Sequence, residues 1–117
     1  MGTWGAGLFD DDISMDVQAE FEASIEEGMS IKEATKLILA SFEEVLTDDD
    51  ESPIVYLTIA ALQLDKGSVQ KRIKKRALDI IKSGEGLERW KEARGQDRDI
   101  RLNILHDLEI RLTIADS

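Results

Sequence analysis

The chain has 117 residues, the length of one domain, and a net charge of −10 at pH 7. It has no cysteine, which excludes disulfides and thiolate metal sites, and no apolar run long enough to cross a membrane. The first residues lack the basic and apolar regions of a signal peptide, so we expect a cytoplasmic protein.

The charge is distributed unevenly along the chain. Residues 1–65 hold 16 acidic and 2 basic residues, whereas residues 66–117 hold 9 acidic and 13 basic ones. The acidic half would repel nucleic acid, so this distribution favours a basic protein as the partner. High charge also keeps any small protein soluble, whatever its function.

The N-terminal segment, residues 1–11, does not have the pattern of a helix. Its glycines in the first nine positions are Gly2, Gly5 and Gly7. Glycine permits close chain approach, and Trp4 and Phe9 favour apolar surroundings, so we predict a lid that lies over the helices. A partner- or ligand-binding tip is the alternative. The segment is not a phosphate loop, because no strand precedes it and no Lys-Ser/Thr follows.

Two amphipathic helices follow the segment. The first is predicted from about Asp12 to Glu27, with apolar residues at every fourth position and Gly28 at its end. The second begins with a capping-box pattern at Ser30 and Glu33 and keeps a helical apolar spacing as far as Val45.

A third helix is predicted after the acidic loop of residues 48–51. Ser52 has the character of an N-cap, and Pro53 fits the first helical position. Residues 54–64 are almost entirely apolar, which predicts a central helix buried on all sides, although their β-branched content leaves a buried strand open. Gly67 ends the segment.

Three more helices are predicted: about Ser68 to Lys82, a short one from Leu87 to Ala93, and one that begins at Asp97 as its cap. Short connections favour antiparallel neighbours. We therefore predict an all-α fold for a single domain over residues 1–117. Its form is a compact bundle of about five to six antiparallel helices with a non-helical Gly/Trp-rich N-terminal segment.

The opening residues resemble a widespread bacterial family of unknown function, whose members begin MGTWG or MGAWG. The signature residues that match here are Gly2, Trp4, Gly5, Gly7, Phe9, Asp12 and Asp16. Three further motifs match: E-A-T at residues 33–35, L-x-x-A-x-x-Q at residues 57–63, and I-K-S-G-x-x-L-x-x-W at residues 81–90. Tyr56 lies near a place where relatives often have tryptophan.

The resemblance implies a bacterial source and a link to toxin immunity or another conflict system between bacteria or with phages. Some relatives continue into a second, β-rich domain similar to those of toxin-immunity proteins. The family has no established catalytic residues, so the resemblance assigns no active site.

We expect no metal, no cofactor and no enzymatic activity. The acidic clusters at residues 10–12 and 48–51 lack the alternating ligands and glycine of a calcium loop. The sole histidine, His106, has the spacing of a rim residue and no second ligand for zinc. Asp16 and Glu20, one turn apart, form the one acid pair expected to lie under the N-terminal segment.

The basic run from Lys71 to Arg76 has no interleaved aromatic residues of the kind that stack on bases. It has three interpretations: a solvated helix face, a surface that pairs with acidic residues of the same or a second chain, or a site for an anionic partner such as nucleic acid.

Our first functional hypothesis is a protein-binding module, an immunity or inhibitor protein that neutralises a basic toxin or effector. The residues predicted to bind the partner are Glu22, Glu26, Glu43, Glu44, Asp48, Asp49, Asp50 and Glu51. One alternative is a self-associating structural or regulatory domain. The other is a small-ligand binder or enzyme that uses the N-terminal segment together with Asp12 and Asp16.

Overall fold

The computed structural model describes residues 12–48, 51–67, 69–83 and 96–114. All regular structure in these ranges is helical, as predicted. The helices are α1 (Asp12–Glu26), α2 (Ile31–Ser41), α3 (Glu43–Leu46), α4 (Ser52–Asp65), α5 (Lys71–Ser83) and α6 (Gln96–Ile114). Two predicted features lie outside the described residues: the lid at residues 1–11 and the short helix at residues 87–93. Asp49 and Asp50 also lie outside them.

The predicted capping box at the start of α2 is confirmed. The backbone N–H of Glu33 donates to Oγ of Ser30 at 3.1 Å, and the backbone N–H of Ser30 donates to Oε1 of Glu33 at 3.0 Å. These two bonds satisfy donors that the first turn of a helix otherwise leaves without partners.

Glycine ends two of the helices at the predicted positions. Gly28 follows α1 with φ of +97°, and Gly67 follows α4 with φ of +79°. At the end of α1 the N–H of Gly28 donates to the carbonyl of Ile25, and the N–H of Met29 donates to that of Ser24. This pair of bonds is a Schellman motif, in which Gly28 adopts the left-handed conformation that favours glycine.

Two predicted boundaries were wrong. The second helix does not run unbroken to Val45, because ψ of +24° at Phe42 redirects the chain and lets α3 contact α4. Ser52 is not the cap of α4 but its first residue. Asp48 provides the local hydrogen bonds instead: its Oδ1 accepts from the N–H of Glu51 at 3.2 Å, and its carbonyl accepts from that of Ser52 at 2.9 Å.

Two smaller differences concern the later helices. The fourth predicted helix begins at Lys71 rather than Ser68 and ends at Ser83, so that Val69 is buried in the preceding connection rather than in the helix. The last helix begins at Gln96, one residue before the predicted cap. The start at Lys71 is three residues later than predicted, whereas the other two boundaries differ by one residue, which is within the usual uncertainty of helix ends.

Helix α4 is the centre of the fold, as its composition predicted. Every residue from Ser52 to Gln63 is buried except Tyr56, which is half-buried. The helix contacts α1, α3, α5 and α6. It is the centre of one hydrophobic cluster, to which α1, α2, α5 and α6 contribute wholly buried side chains. A helix without a polar face is stable only in such surroundings.

Cross-helix contacts fix the directions of the helices. Ser14 on α1 hydrogen-bonds Thr58 on α4. Eight residues further along in both segments, Glu22 on α1 forms an ion pair with Lys66, the residue that follows α4. This constant offset makes α1 and α4 parallel. On the other side, Gln63 bonds Gln70, whereas Arg76 lies over Tyr56, so α4 and α5 are antiparallel. The predicted all-α bundle is confirmed, and within it α1 and α4, which are not consecutive in the chain, run parallel to each other.

Candidate functional site: an acidic and a basic surface

The acidic surface comprises the described carboxylates that were predicted to bind a partner. They are Glu22 and Glu26 on α1, Glu43 and Glu44 on α3, and Asp48 and Glu51 before α4. Glu26, Glu43, Glu44 and Asp48 are exposed, whereas Glu22 and Glu51 are half-buried. Four of the six carboxylate residues are thus exposed at the surface.

Two members of the acidic surface also have structural contacts. Glu22 Oε2 lies 3.3 Å from Nζ of Lys66, in an ion pair whose side chains are 46% and 33% exposed. Asp48 holds the first turn before α4, as described above. An exposed ion pair of this kind contributes little to stability. Glu22 therefore remains available to a partner, but Lys66 reduces its local negative potential.

One further carboxylate, that of Glu20, connects α1 with α2. Oγ of Ser41, at the end of α2, donates to Oε1 of Glu20 on α1 at 3.4 Å. This bond places the end of α2, two residues before Glu43, beside the turn of α1 that carries Glu20. The sequence pattern had assigned Glu20 to an acid pair with Asp16, which is exposed, and did not indicate its contact with α2.

The carboxylate of Glu33 lies outside the acidic surface. The hydrogen bonds from the backbone and side chain of Ser30 lower the pKa of Glu33 below its ordinary value of 4.5. The cause is the capping box, in which two donors favour the charged form. This shift therefore reports helix capping and does not indicate a catalytic acid.

The described residues contain no group of three or more His, Cys, Asp or Glu side chains that could hold a metal ion. His106 is exposed on α6, in agreement with its predicted place at the rim of the apolar face. None of the described helices has the length and apolar character that a membrane span requires.

The basic surface is the outer side of α5. Its cationic side chains are Lys71, Arg72, Lys74, Lys75, Arg76 and Lys82, with Asp79 among them. Two depressions adjoin it. The larger, about 340 Å³, is bordered by the four lysines with Leu78 and Asp79. The smaller, about 150 Å³, lies between α5, Tyr56 and Leu39. The sequence predicted the basic run, but not the aromatic ring beside it.

Buried polar residues connect α2, α4 and the start of α5. Nε2 of Gln63 donates to Oγ1 of Thr35 at 2.8 Å and to Oε1 of Gln70 at 3.0 Å, and Oε1 of Gln63 accepts from the N–H of Gln70 at 2.9 Å. Thr35 and Gln63 are fully buried. Their hydrogen bonds satisfy polar groups that would otherwise be costly to bury.

A family model described as a domain of unknown function, DUF4259, matches residues 2–113. The chain belongs to this family. No curated protein and no solved structure matches the chain. For this DUF4259 chain, function must therefore be inferred from its own surfaces.

The motifs of the predicted resemblance that fall in described helices have structural roles in this DUF4259 chain. Glu33 completes the capping box, and Thr35 and Gln63 bond each other. Leu57 and Ala60 are fully buried in α4. The signature residues Gly2, Trp4, Gly5, Gly7 and Phe9 lie outside the described residues. These described residues thus contribute to folding, whereas the signature residue Asp16 is exposed on α1.

Proposed function

We propose that this DUF4259 chain is a cytoplasmic, non-enzymatic module that binds a basic protein through its acidic surface. The class of partner that fits best is a basic toxin or effector, which the module would neutralise. The observation that carries the proposal is the exposure of Glu26 on α1, of Glu43 and Glu44 on α3, and of Asp48 in the connection that follows α3.

Electrostatic steering supplies the physical argument. Exposed carboxylates raise the rate at which a positively charged partner associates in the correct orientation. They increase this association rate more than they increase the affinity. Enzymes that act on nucleic acid are basic because their substrate is anionic. A protein that covers such an active site is favoured to be acidic for the same reason.

The support of the acidic surface also suits a binding role. Helix α1, which carries Glu22 and Glu26, buries Val17 and Phe21 completely in the core. Helix α3, which carries Glu43 and Glu44, packs Val45 and Leu46 against the same cluster. Carboxylates on packed helices lose little conformational freedom of the backbone when a partner binds.

The test uses two variants that each remove three negative charges. The first changes the acidic surface: Glu26→Gln, Glu43→Gln and Glu44→Gln. The matched control changes acids elsewhere, of which Asp65 and Asp79 are exposed and Glu109 is half-buried: Asp65→Asn, Asp79→Asn and Glu109→Gln. A partner is first isolated from the native host by cross-linking to the unmodified chain. Association rates with the purified partner are then measured at low and high salt.

We expect the acidic-surface variant to associate about tenfold more slowly at low salt, with the difference shrinking as salt increases. The control variant should associate at nearly the unmodified rate. The proposal fails if no basic partner is recovered in stoichiometric amount, or if both variants slow association equally. A toxin as partner would in addition lose its activity in the complex.

Self-association is a second candidate, favoured by the basic surface of α5 on the same chain as the acidic surface. The two surfaces are complementary, and a contact between unlike surfaces of two copies would extend head to tail. Light scattering at low and high salt tests this candidate. A molecular mass that equals one chain at both salt concentrations would eliminate it.

A further inference from the structure

The smaller depression beside α5 has the chemistry of an anion site. It has a volume of about 150 Å³ and is lined by Leu39, Tyr56, Arg72, Ile73 and Arg76. These residues come from α2, α4 and α5, so the depression lies where three helices meet. Ile73 is 1% exposed and forms its apolar floor, while Tyr56 and Leu39 are half-buried.

Two guanidinium groups border this apolar floor. Arg72 and Arg76 are four residues apart, so they lie on the same side of α5. Cζ of Arg76 lies 5.5 Å from the centroid of the Tyr56 ring, within the range of a cation–π contact. The ring therefore orients one guanidinium at the border of the depression. A planar guanidinium donates two parallel hydrogen bonds to a phosphate or carboxylate.

The size of the depression limits the ligand. Ligand pockets for larger molecules have volumes of about 300–1,000 Å³. At about 150 Å³ this depression can hold one ring or a short alkyl group, but not a large cofactor. The charged end of such a ligand would lie at the border, beside the two guanidinium groups.

The charge of the surroundings favours phosphate over a single carboxylate. The adjoining depression is bordered by Lys71, Lys74, Lys75 and Lys82, with Asp79 as the acidic group among them. A phosphate monoester carries about −1.5 to −2 charges near neutral pH and has three acceptor oxygens. It gains more than a monoanion from a surface with this excess of positive charge.

We propose that the pocket formed by Arg72, Arg76 and Tyr56 binds a small phosphate monoester that carries an aromatic or short apolar group. The phosphate accepts hydrogen bonds from the guanidinium groups, and the apolar group lies on Ile73 and Leu39. The site uses α5 and is separate from the acidic surface, so it does not depend on the proposed protein-binding function.

A polyanion fits this surface less well. Asp79 interrupts the cationic side chains of α5, and the whole chain has a net charge of −10. Single-stranded nucleic acid also requires a series of stacking platforms, whereas Tyr56 is the one aromatic residue that lines the two described depressions. Nucleic acid is therefore used as a competing probe in the test.

The experiment is an NMR titration of the full chain, in which the side-chain Nε–H signals of the arginines are followed. Phenyl phosphate is the main probe. Inorganic phosphate lacks the apolar group, benzyl alcohol lacks the charge, and a single-stranded oligonucleotide supplies a polyanion. The double variant Arg72→Gln/Arg76→Gln is compared with Lys71→Gln/Lys82→Gln, which removes the same charge from the same helix outside the pocket.

Phenyl phosphate should shift the Arg72 and Arg76 signals saturably and bind more tightly than inorganic phosphate, while benzyl alcohol should not bind. Loss of two charged hydrogen-bond donors should weaken binding at least about tenfold, whereas the lysine variant should weaken it much less. The single variant Arg76→Lys keeps the charge but loses the planar fork, so it should also bind weakly.

Three results would overturn the proposal: no saturable shift with phenyl phosphate, equal losses in the arginine and lysine variants, or binding of the oligonucleotide alone. Thermal unfolding of each variant checks the fold. Arg72 is exposed, so Arg72→Gln alone provides a decisive variant if the loss of Arg76 from the Tyr56 ring destabilises the protein.

Discussion

Gln63 on α4 donates a hydrogen bond from Nε2 to Oγ1 of Thr35 on α2, across 2.8 Å in the interior of the bundle. Both residues are fully buried. The same amide group donates to and accepts from Gln70, in the connection to α5. One side chain thus joins α4 both to α2, which is 28 residues away in sequence, and to the connection that leads into α5.

Replacing Gln63 with leucine, which has a similar volume, should lower the free energy of unfolding by about 2–4 kcal/mol. The change leaves the Thr35 hydroxyl and the Gln70 N–H without this partner. The buried Thr35 hydroxyl should cost about 1–3 kcal/mol, and the half-buried Gln70 N–H should cost less. Thr35→Val should cost less, about 1 kcal/mol, because Gln63 keeps its bonds to Gln70. Urea denaturation monitored by circular dichroism measures both values.

The exposed neighbour Lys36 provides the control, since Lys36→Gln should change stability by less than about 0.5 kcal/mol. The double variant Thr35→Val/Gln63→Leu should lose less than the sum of the two single losses, because the residues act on one another. Strict additivity would show that the 2.8 Å bond contributes nothing specific.

The sequence predicted those parts of the fold that depend on local chemistry. The Ser30–Glu33 capping box and the ends at Gly28 and Gly67 each require only residues within one or two turns. The all-round burial of α4 also followed from its composition. The break at Phe42 was missed because no glycine or proline marks it, and the contact of α3 with α4 that follows the break is a tertiary one.

The candidate surfaces were predictable to a different degree. The exposure of Glu26, Glu43 and Glu44 followed from their positions opposite the apolar stripes. The contacts of Arg76 with Tyr56 and of Ser41 with Glu20 did not, because each joins residues about twenty positions apart on different helices. Such contacts depend on the register between helices, which the periodicity of a single helix does not determine.

Two buried hydroxyl groups at the α1–α4 contact should respond unequally to mutation. Thr58 Oγ1 donates its single proton to the carbonyl of Ile54 at 2.8 Å, so the 2.9 Å bond with Ser14 has Ser14 as its donor. Thr58→Val removes the acceptor for the buried Ser14 hydroxyl and should cost about 1–3 kcal/mol. Ser14→Ala removes the donor, but the Thr58 hydroxyl keeps its own bond to the carbonyl of Ile54. This variant should therefore cost under about 1 kcal/mol.

Adding Ser14→Ala to Thr58→Val should recover part of the loss, because the unsatisfied hydroxyl is then absent. Thermal unfolding and urea denaturation of the three variants measure the order of stability. If Ser14→Ala proves as harmful as Thr58→Val, the assignment of donor and acceptor is incorrect.

The two helix-ending glycines should be intolerant of alanine for a reason that is purely conformational. A Cβ built on Gly28 or Gly67 has no atom within 4 Å, so no clash opposes the substitution. A left-handed conformation still costs a residue with a side chain about 1–2 kcal/mol. We expect Gly28→Ala to cost more than Gly67→Ala, because φ of +97° is farther than +79° from the allowed left-handed region.

Asparagine tolerates left-handed angles better than alanine, so Gly67→Asn should be less harmful than Gly67→Ala. Chemical denaturation of the three single variants, Gly28→Ala, Gly67→Ala and Gly67→Asn, measures the differences. Equal stability of the alanine and asparagine variants would contradict a conformational origin.

The capping box makes the stability contributed by Glu33 dependent on pH. Bonds from Ser30 lower the pKa of Glu33 in the folded chain below the ordinary value of 4.5. A carboxyl group whose pKa is depressed on folding stabilises the protein above its unfolded pKa, and this contribution is lost as the pH falls through the folded pKa. The variant Glu33→Gln should therefore be less stable than the original chain near pH 7, and the difference should shrink towards pH 3.

Ser30→Ala provides the reciprocal test of the same contact. Loss of the cap oxygen should cost about 1 kcal/mol of stability. It should also move the pKa of Glu33 back towards 4.5, because the Ser30 side chain is one of the two groups whose hydrogen bonds lower that pKa. A carbon-13 NMR titration of the Glu33 carboxyl measures the pKa in both chains. An unchanged pKa in Ser30→Ala would contradict a contribution of the Ser30 hydroxyl and would assign the shift to the backbone N–H of residue 30, which the variant keeps.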